Sequence, residues 1–120
     1  QLASWEQEFP ATKNMAGQLE LNKELQVISN LDLMITMDSA NMHLASLVNT
    51  PVISIWGATH PFAGFLGWGQ SFENVVQADL SCRPCSVFGN KTCFRGDYAC
   101  LQEIQPEQIV QRVRAYLCIS

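Results

Sequence analysis

The sequence predicts an α/β fold built on a parallel sheet. Leu31 to Met37 (LDLMITM) and Val52 to Trp56 (VISIW) are short apolar runs with β-branched residues, as expected of strands buried in such a sheet. Each run follows a stretch with helical character, so residues 21–57 spell helix–strand–helix–strand with short connections. The composition fits a packed domain: of 120 residues, 48 % are apolar and 15 % charged, too apolar and too sparsely charged for disorder.

Taken in order, residues 1–20 are a poorly defined lead-in, with Trp5, Phe9, Pro10 and Gly17 scattered without a period. Leu21, Leu25 and Ile28 then fall at helical spacing, with Asn22 the expected N-cap. The strand over 31–37 ends at Asp38-Ser39. A short helix over Asn41 to Val48 is stopped by Asn49-Thr50-Pro51. The strand over 52–56 ends at Gly57, where a loop rich in glycine and aromatics begins: Gly57, Gly64, Gly67 and Gly69 with Phe62, Phe65, Trp68 and Phe72. This loop either packs under its own turns or forms a lid, with Phe65 or Trp68 over a base or sugar and the glycines as hinges. Val75-Val76 starts another short strand before a cysteine-rich segment over 80–102. Pro106 suits the first turn of a C-terminal helix over 106–118, whose stripe is Ile109, Val110, Val113 and Leu117. The chain opens on Gln1 with no recognisable element start in its first ten residues, which predicts a piece of a longer protein.

A formal charge of −4 argues against nucleic acid or an anionic membrane surface as a partner. No apolar run approaches the roughly 18–20 residues needed to span a bilayer, and no signal peptide is recognisable. Five cysteines, an odd number, fit a reducing, cytoplasmic compartment better than a disulfide scaffold.

Asp38-Ser39-Ala40-Asn41-Met42-His43 sits where a strand passes into a helix. Ligands of parallel α/β sheets bind outside the carboxyl ends of strands, and helix N-termini there present N–H groups and a positive dipole end to phosphates. Ser39 could donate to a phosphate oxygen and His43 could turn its ring to the same place. The competing reading is that Asp38 and Ser39 merely cap the helix and His43 is a satisfied, partly buried imidazole. Residues 24–82 contain no Lys or Arg, so a diphosphate here would be held by backbone N–H groups, Ser39 and His43, with any cation supplied from elsewhere. There is no G-x-x-x-x-G-K-[ST] loop, no G-x-S-x-G elbow and no dinucleotide fingerprint in the glycine-rich loop. An aspartyl-phosphate role for Asp38 lacks the second carboxylate two residues on, where Ala40 stands. Only His43 and His60 are histidines, which argues against a multi-histidine metal site.

Cys82-Arg83-Pro84-Cys85 followed by Cys93 and Cys100 could hold a structural zinc through four thiolates. The second pair is spaced too widely to be diagnostic, and structural thiols or a redox pair are the competing readings. Arg83, Lys91 and Arg95 would make this segment a local basic patch, facing either solvent or an anionic acceptor.

The run Asp38-Ser39-Ala40-Asn41-Met42-His43-Leu44-Ala45, then Pro51, then Ile55-Trp56-Gly57-Ala58-Thr59-His60-Pro61, resembles the heptosyltransferase family, glycosyltransferase family 9. Members carry D-[ST]-G-x-x-H-x-A-A followed by a strand ending in G-P-T-x-P. The Cys82-to-Cys85 cluster and the pattern Cys100, Ile104, Pro106 also resemble the C-terminal part of these enzymes, so the likeness covers residues 17–117. It implies a GT-B fold of two Rossmann-like domains, with this chain part of the C-terminal, donor-binding one. By motif match, Asp38, Ser39, Ala40 and His43 would lie at the diphosphate and sugar of an ADP-heptose-like donor, with Thr59 beside them. The resemblance places the lipopolysaccharide-core acceptor and the general base on the N-terminal domain, requires no cofactor, and implies work at the inner face of the bacterial inner membrane. Ala40 replaces the family's glycine and Ala58 its proline, which puts the preference for ADP-heptose in doubt. A non-catalytic nucleotide-sugar-binding module and a zinc-stabilised interaction domain are the alternatives.

Overall fold

A computed structural model describes residues 1–119. Five helices and three strands follow the chain: α1 (Leu2–Glu8), α2 (Leu21–Ile28), β1 (Met34–Met37), α3 (Ala40–Leu47), β2 (Val52–Trp56), β3 (Val75–Gln77), α4 (Ala99–Gln102) and α5 (Pro106–Leu117). Two 3-10 turns, Pro61–Ala63 and Phe72–Asn74, lie in the connection from β2 to β3. The sheet is parallel throughout in the order β1-β2-β3. Met37 pairs with Ile55, and Trp56 with Gln77, so all three strands end at nearly one level. Asp38, Gly57 and Ala78, the residues that follow, therefore form one rim. This is the α/β, Rossmann-like arrangement that the helix–strand alternation predicted.

The central strand takes the core. Val52, Ile53, Ser54 and Trp56 of β2 are buried, and Val52 and Trp56 pack with Ile28 of α2, Met42 and Ala45 of α3, and Val75 of β3. Trp56 is fully buried because its one polar atom is satisfied: Nε1 donates to Ser54 Oγ at 2.9 Å. Thr50 Oγ1 donates to the Ile28 carbonyl at 2.7 Å and ties the end of α2 to the entrance of β2. Gln70 completes that entrance. Its Oε1 accepts from Val52 N–H at 2.9 Å while Nε2 donates to Thr50 O and Ser46 Oγ.

Four boundaries differ from expectation. The lead-in contains a helix, α1, though none of its residues is buried. Helix α2 has Glu20 at its N-cap position, with no side-chain capping bond, and Asn22 lies inside it. β1 is shorter than the apolar run and half-exposed, with Ile35 and Met37 on an open face. Its alternating burial follows from its place at the sheet edge, where only one face is packed among the described residues. Residues 99–102 form a short helix that apolar spacing did not reveal. No helix among the described residues is long and apolar enough to cross a membrane.

Candidate functional site

The expected site lies on the rim. Asp38 leaves β1 half-buried, and its backbone N–H still pairs with Ile55 O at 3.2 Å, extending the ladder one residue past the strand. Ser39 follows in extended conformation as the N-cap residue of α3. Its side chain makes no capping bond. Ser39 Oγ lies 3.0 Å from Thr36 Oγ1 instead. Capping by Ser39, the competing explanation for this motif, is thus not what its hydroxyl does. The first N–H groups of α3 have no intrahelical acceptor and keep their positive dipole end. Ala40 occupies the first helical position with an exposed methyl group.

Across the rim, Gly57, Ala58 and Thr59 leave β2. Together with Met37 and Asp38 they line a cleft of about 210 Å³, closed on the far side by Phe88, Gly89 and Leu101. The structure therefore brings Asp38 and Thr59 to one cavity and places Ser39 and Ala40 next to it in sequence. His43 stands apart: it is exposed on α3 and does not line that cleft.

Sequence reasoning missed the far wall, which comes from the cysteine-rich segment. Gly89, at φ +65°, sits so close to the site that a Cβ there would lie 3.0 Å from Thr59 Cγ2. Cys85 N–H donates to Ala58 O at 3.0 Å. Phe88 stands 73 % exposed at the cleft, its ring 5.7 Å from Phe65. Leu101 leans over Gly57, where a Cβ would meet its Cδ2 at 2.7 Å. No sequence signal pointed to these contacts, because the partners are 23 to 44 residues apart.

The arginine of the C-x-x-C arm fixes this wall. Arg83 Nε donates to Gly57 O, Nη1 to Ala78 O, and Nη2 to Trp56 O at 3.2 Å, Thr59 O at 2.9 Å and Gln77 Oε1 at 3.1 Å. One guanidinium thus joins the exits of β2 and β3. Burial pulls its pKa down, opposed by the nearby Cys100, Cys82 and Cys85 thiols and by Asp79. It nevertheless stays charged. The expected basic patch of Arg83, Lys91 and Arg95 does not exist as such. Arg83 is turned inward onto carbonyls, and Arg95 pairs with Asp97 at 2.8 Å.

All four clustered cysteines are free thiols. Among the described residues, no three His, Cys, Asp or Glu side chains are gathered as a ligand set for a metal ion. Cys82, Cys85 and Cys93 nevertheless lie near enough to Cys100 to act on its thiol electrostatically. The thiols differ from one another. Burial, reinforced by Cys85, pushes the Cys100 thiol above its ordinary range, whereas backbone N–H groups, that of Tyr98 first, draw Cys93 below it.

The two aromatic candidates of the glycine-rich loop also separate. Phe65 is half-buried against the core beside Phe88. Trp68 is 91 % exposed and lines a groove with Asn49, Thr50 and Pro51, at the amino end of β2 and away from the rim.

With this geometry in hand, comparison with known proteins is direct. The model of glycosyltransferase family 9 (heptosyltransferase) matches residues 2–94. A lipooligosaccharide heptosyltransferase 2 from Campylobacter jejuni serotype O:2 is 30 % identical over 105 residues, covering 88 % of this chain and 32 % of the relative. The protein of that name from C. jejuni serotype O:6 is 28 % identical over 102 residues, covering 85 % and 31 %. A Haemophilus influenzae lipooligosaccharide heptosyltransferase 2 is 42 % identical over a shorter stretch of 48 residues, covering 40 % and 14 %. The chain thus spans about a third of the Campylobacter relatives' length. No solved structure matches it. The match to the family model across most of its length shows that this chain belongs to glycosyltransferase family 9, the heptosyltransferases.

Proposed function

We propose that this chain forms the donor-binding part of a glycosyltransferase that moves a heptose, or a closely related sugar, from a nucleotide diphosphate to a lipopolysaccharide-core acceptor. The observation that carries this reading is the uncapped N-terminus of α3 beside a cleft shared by Asp38 and Thr59. The open N–H groups of Ala40 and Asn41 suit the donor's diphosphate. The ionised Asp38 carboxylate, which accepts hydrogen bonds and donates none, suits the hydroxyl groups of the sugar. Thr59 and Ser39 add hydroxyls that can donate or accept. His43, exposed one turn into α3, reaches the donor only if that donor extends along the helix. The methyl group of Ala40, where the family has glycine, stands at the closest approach of backbone to phosphate and biases which donor fits.

Deprotonation of the acceptor hydroxyl by a general base is assigned to the N-terminal domain of the full-length enzyme. Donor binding by backbone N–H groups and carboxylate calls for no cofactor. The acceptor glycolipid would bring the enzyme to the inner face of the membrane as a peripheral protein.

Transfer from ADP-heptose to a truncated lipopolysaccharide core, assayed with the full-length protein, tests this reading. Transfer is expected. Asp38→Asn should weaken donor binding by about 1–3 kcal/mol through loss of a charged acceptor, and Ala40→Gly should preserve or tighten it. Donor binding without transfer would instead identify a non-catalytic module, and no binding of any nucleotide sugar would end the proposal.

A further inference from the structure

A second polar cleft opens at the exit of β3. It encloses about 450 Å³ and is lined by His60, Gln77, Asp79, Arg83 and Arg112, among others. It shares no lining residue with the cleft at Asp38 and Thr59. Two of the chain's seven cationic side chains and one of its two histidines are gathered here, in a protein of formal charge −4.

The three groups act as donors. His60 Nδ1 accepts from Phe62 N–H at 3.2 Å, so the neutral ring carries its proton on Nε2. Arg83 is held in place by backbone carbonyls, and of its five N–H groups one on Nη1 remains beyond the bond to Ala78 O. Arg112 reaches across from α5, anchored through Nη1 to Glu73 O, with its remaining N–H groups available. Neither guanidinium has a carboxylate within ion-pair distance among the described residues, where the pairs are Lys13–Glu6 and Arg95–Asp97. Asp79 is the single carboxylate in the lining. Arg112 offers the guanidinium fork that matches phosphate oxygens, Arg83 adds its charge and one further N–H, and His60 adds Nε2–H, all from separate parts of the chain on one concavity.

We propose that this cleft binds a phosphate group, apart from the cleft at Asp38. The assignment does not depend on the donor reading. Two sources supply this chemistry, the diphosphate of a nucleotide and the phosphate ester of another substrate.

Calorimetric titration of the full-length protein with pyrophosphate, and separately with ADP, at constant ionic strength tests the assignment. Pyrophosphate should bind, and Arg112→Gln should weaken it about tenfold or more, the loss of one charge-assisted contact. His60→Ala, a second variant on a different element, should weaken it as well. If Arg112→Gln weakens ADP equally, the bound phosphate is the nucleotide's; if ADP is untouched while pyrophosphate weakens, it belongs to another phosphate ester. Either outcome supports the site. Failure of the wild-type protein to bind pyrophosphate at millimolar concentration overturns it, as does unchanged affinity in both variants with their thermal midpoints preserved.

Discussion

Replacing Arg83 should be among the most damaging single changes in this protein. Arg83→Met keeps most of the aliphatic stem and removes every donor. Five acceptors then lose their partner: the carbonyls of Trp56, Gly57, Thr59 and Ala78, and Gln77 Oε1. They are not equivalent. Gln77 is exposed and Thr59 half-exposed, so water replaces much of what they lose. Trp56 is fully buried, Gly57 is buried and Ala78 is only 9 % exposed. Counting those three alone, at about 1–3 kcal/mol for each buried acceptor left unmade, gives about 3–9 kcal/mol. With a urea slope of about 2 kcal/mol per molar, a loss near 4 kcal/mol moves the unfolding midpoint down by about 2 M. Arg83→Lys keeps the charge, but three donors on one nitrogen cannot reach carbonyls on both sides of the exits, so it should recover only part. A midpoint shift below about 0.3 M for Arg83→Met, at unchanged slope, would refute the view that this guanidinium joins β2 to β3.

Four further outcomes are expected. Gly67→Ala drives a methyl group into Ser46 Oγ, with Met42 Cγ only 3.2 Å away, and Met42 is fully buried; thermal unfolding should show a loss of about 1–3 kcal/mol from overpacking. Gly57→Ala meets only the far end of the Leu101 side chain, so it should cost less, and the double variant with Leu101→Ala should relieve the clash; an unrelieved loss would place the strain elsewhere. Gln70→Ala leaves the N–H of buried Val52 without its 2.9 Å partner and should lower stability by about 1–3 kcal/mol in urea titration. At neutral pH Cys93, drawn down by backbone N–H groups, should be alkylated by iodoacetamide well before Cys100, whose buried thiol stays protonated to higher pH; mass spectrometry of partial digests would show the order, and prior labelling of Cys100 would contradict it.

Metal removal bears on the same segment. Without a formed ligand set among the described residues, exposure to EDTA should leave the thermal midpoint unchanged. Stoichiometric zinc in the purified protein, with unfolding on chelation, would restore the tetrathiolate reading.

What the sequence by itself determined is local or strictly periodic. The apolar run Val52 to Trp56 is the central strand with the expected bounds, because every residue of a buried strand must be apolar or internally satisfied. Pro106 starts α5 because its missing N–H costs nothing there. Asp38 and Thr59 were placed side by side by the resemblance to the family's motifs, and the parallel sheet brings them to one cleft because both follow strands that end at the same level. Tertiary structure decided the rest. The half-exposure of β1 depends on its position in the strand order, which its own residues do not encode. The release of Ser39 from capping depends on Thr36 lying within 3.0 Å. Above all, the role of Arg83 lies in carbonyls up to 27 residues away. A backbone carbonyl has the same chemistry at every position, so no sequence pattern marks which ones an arginine will find.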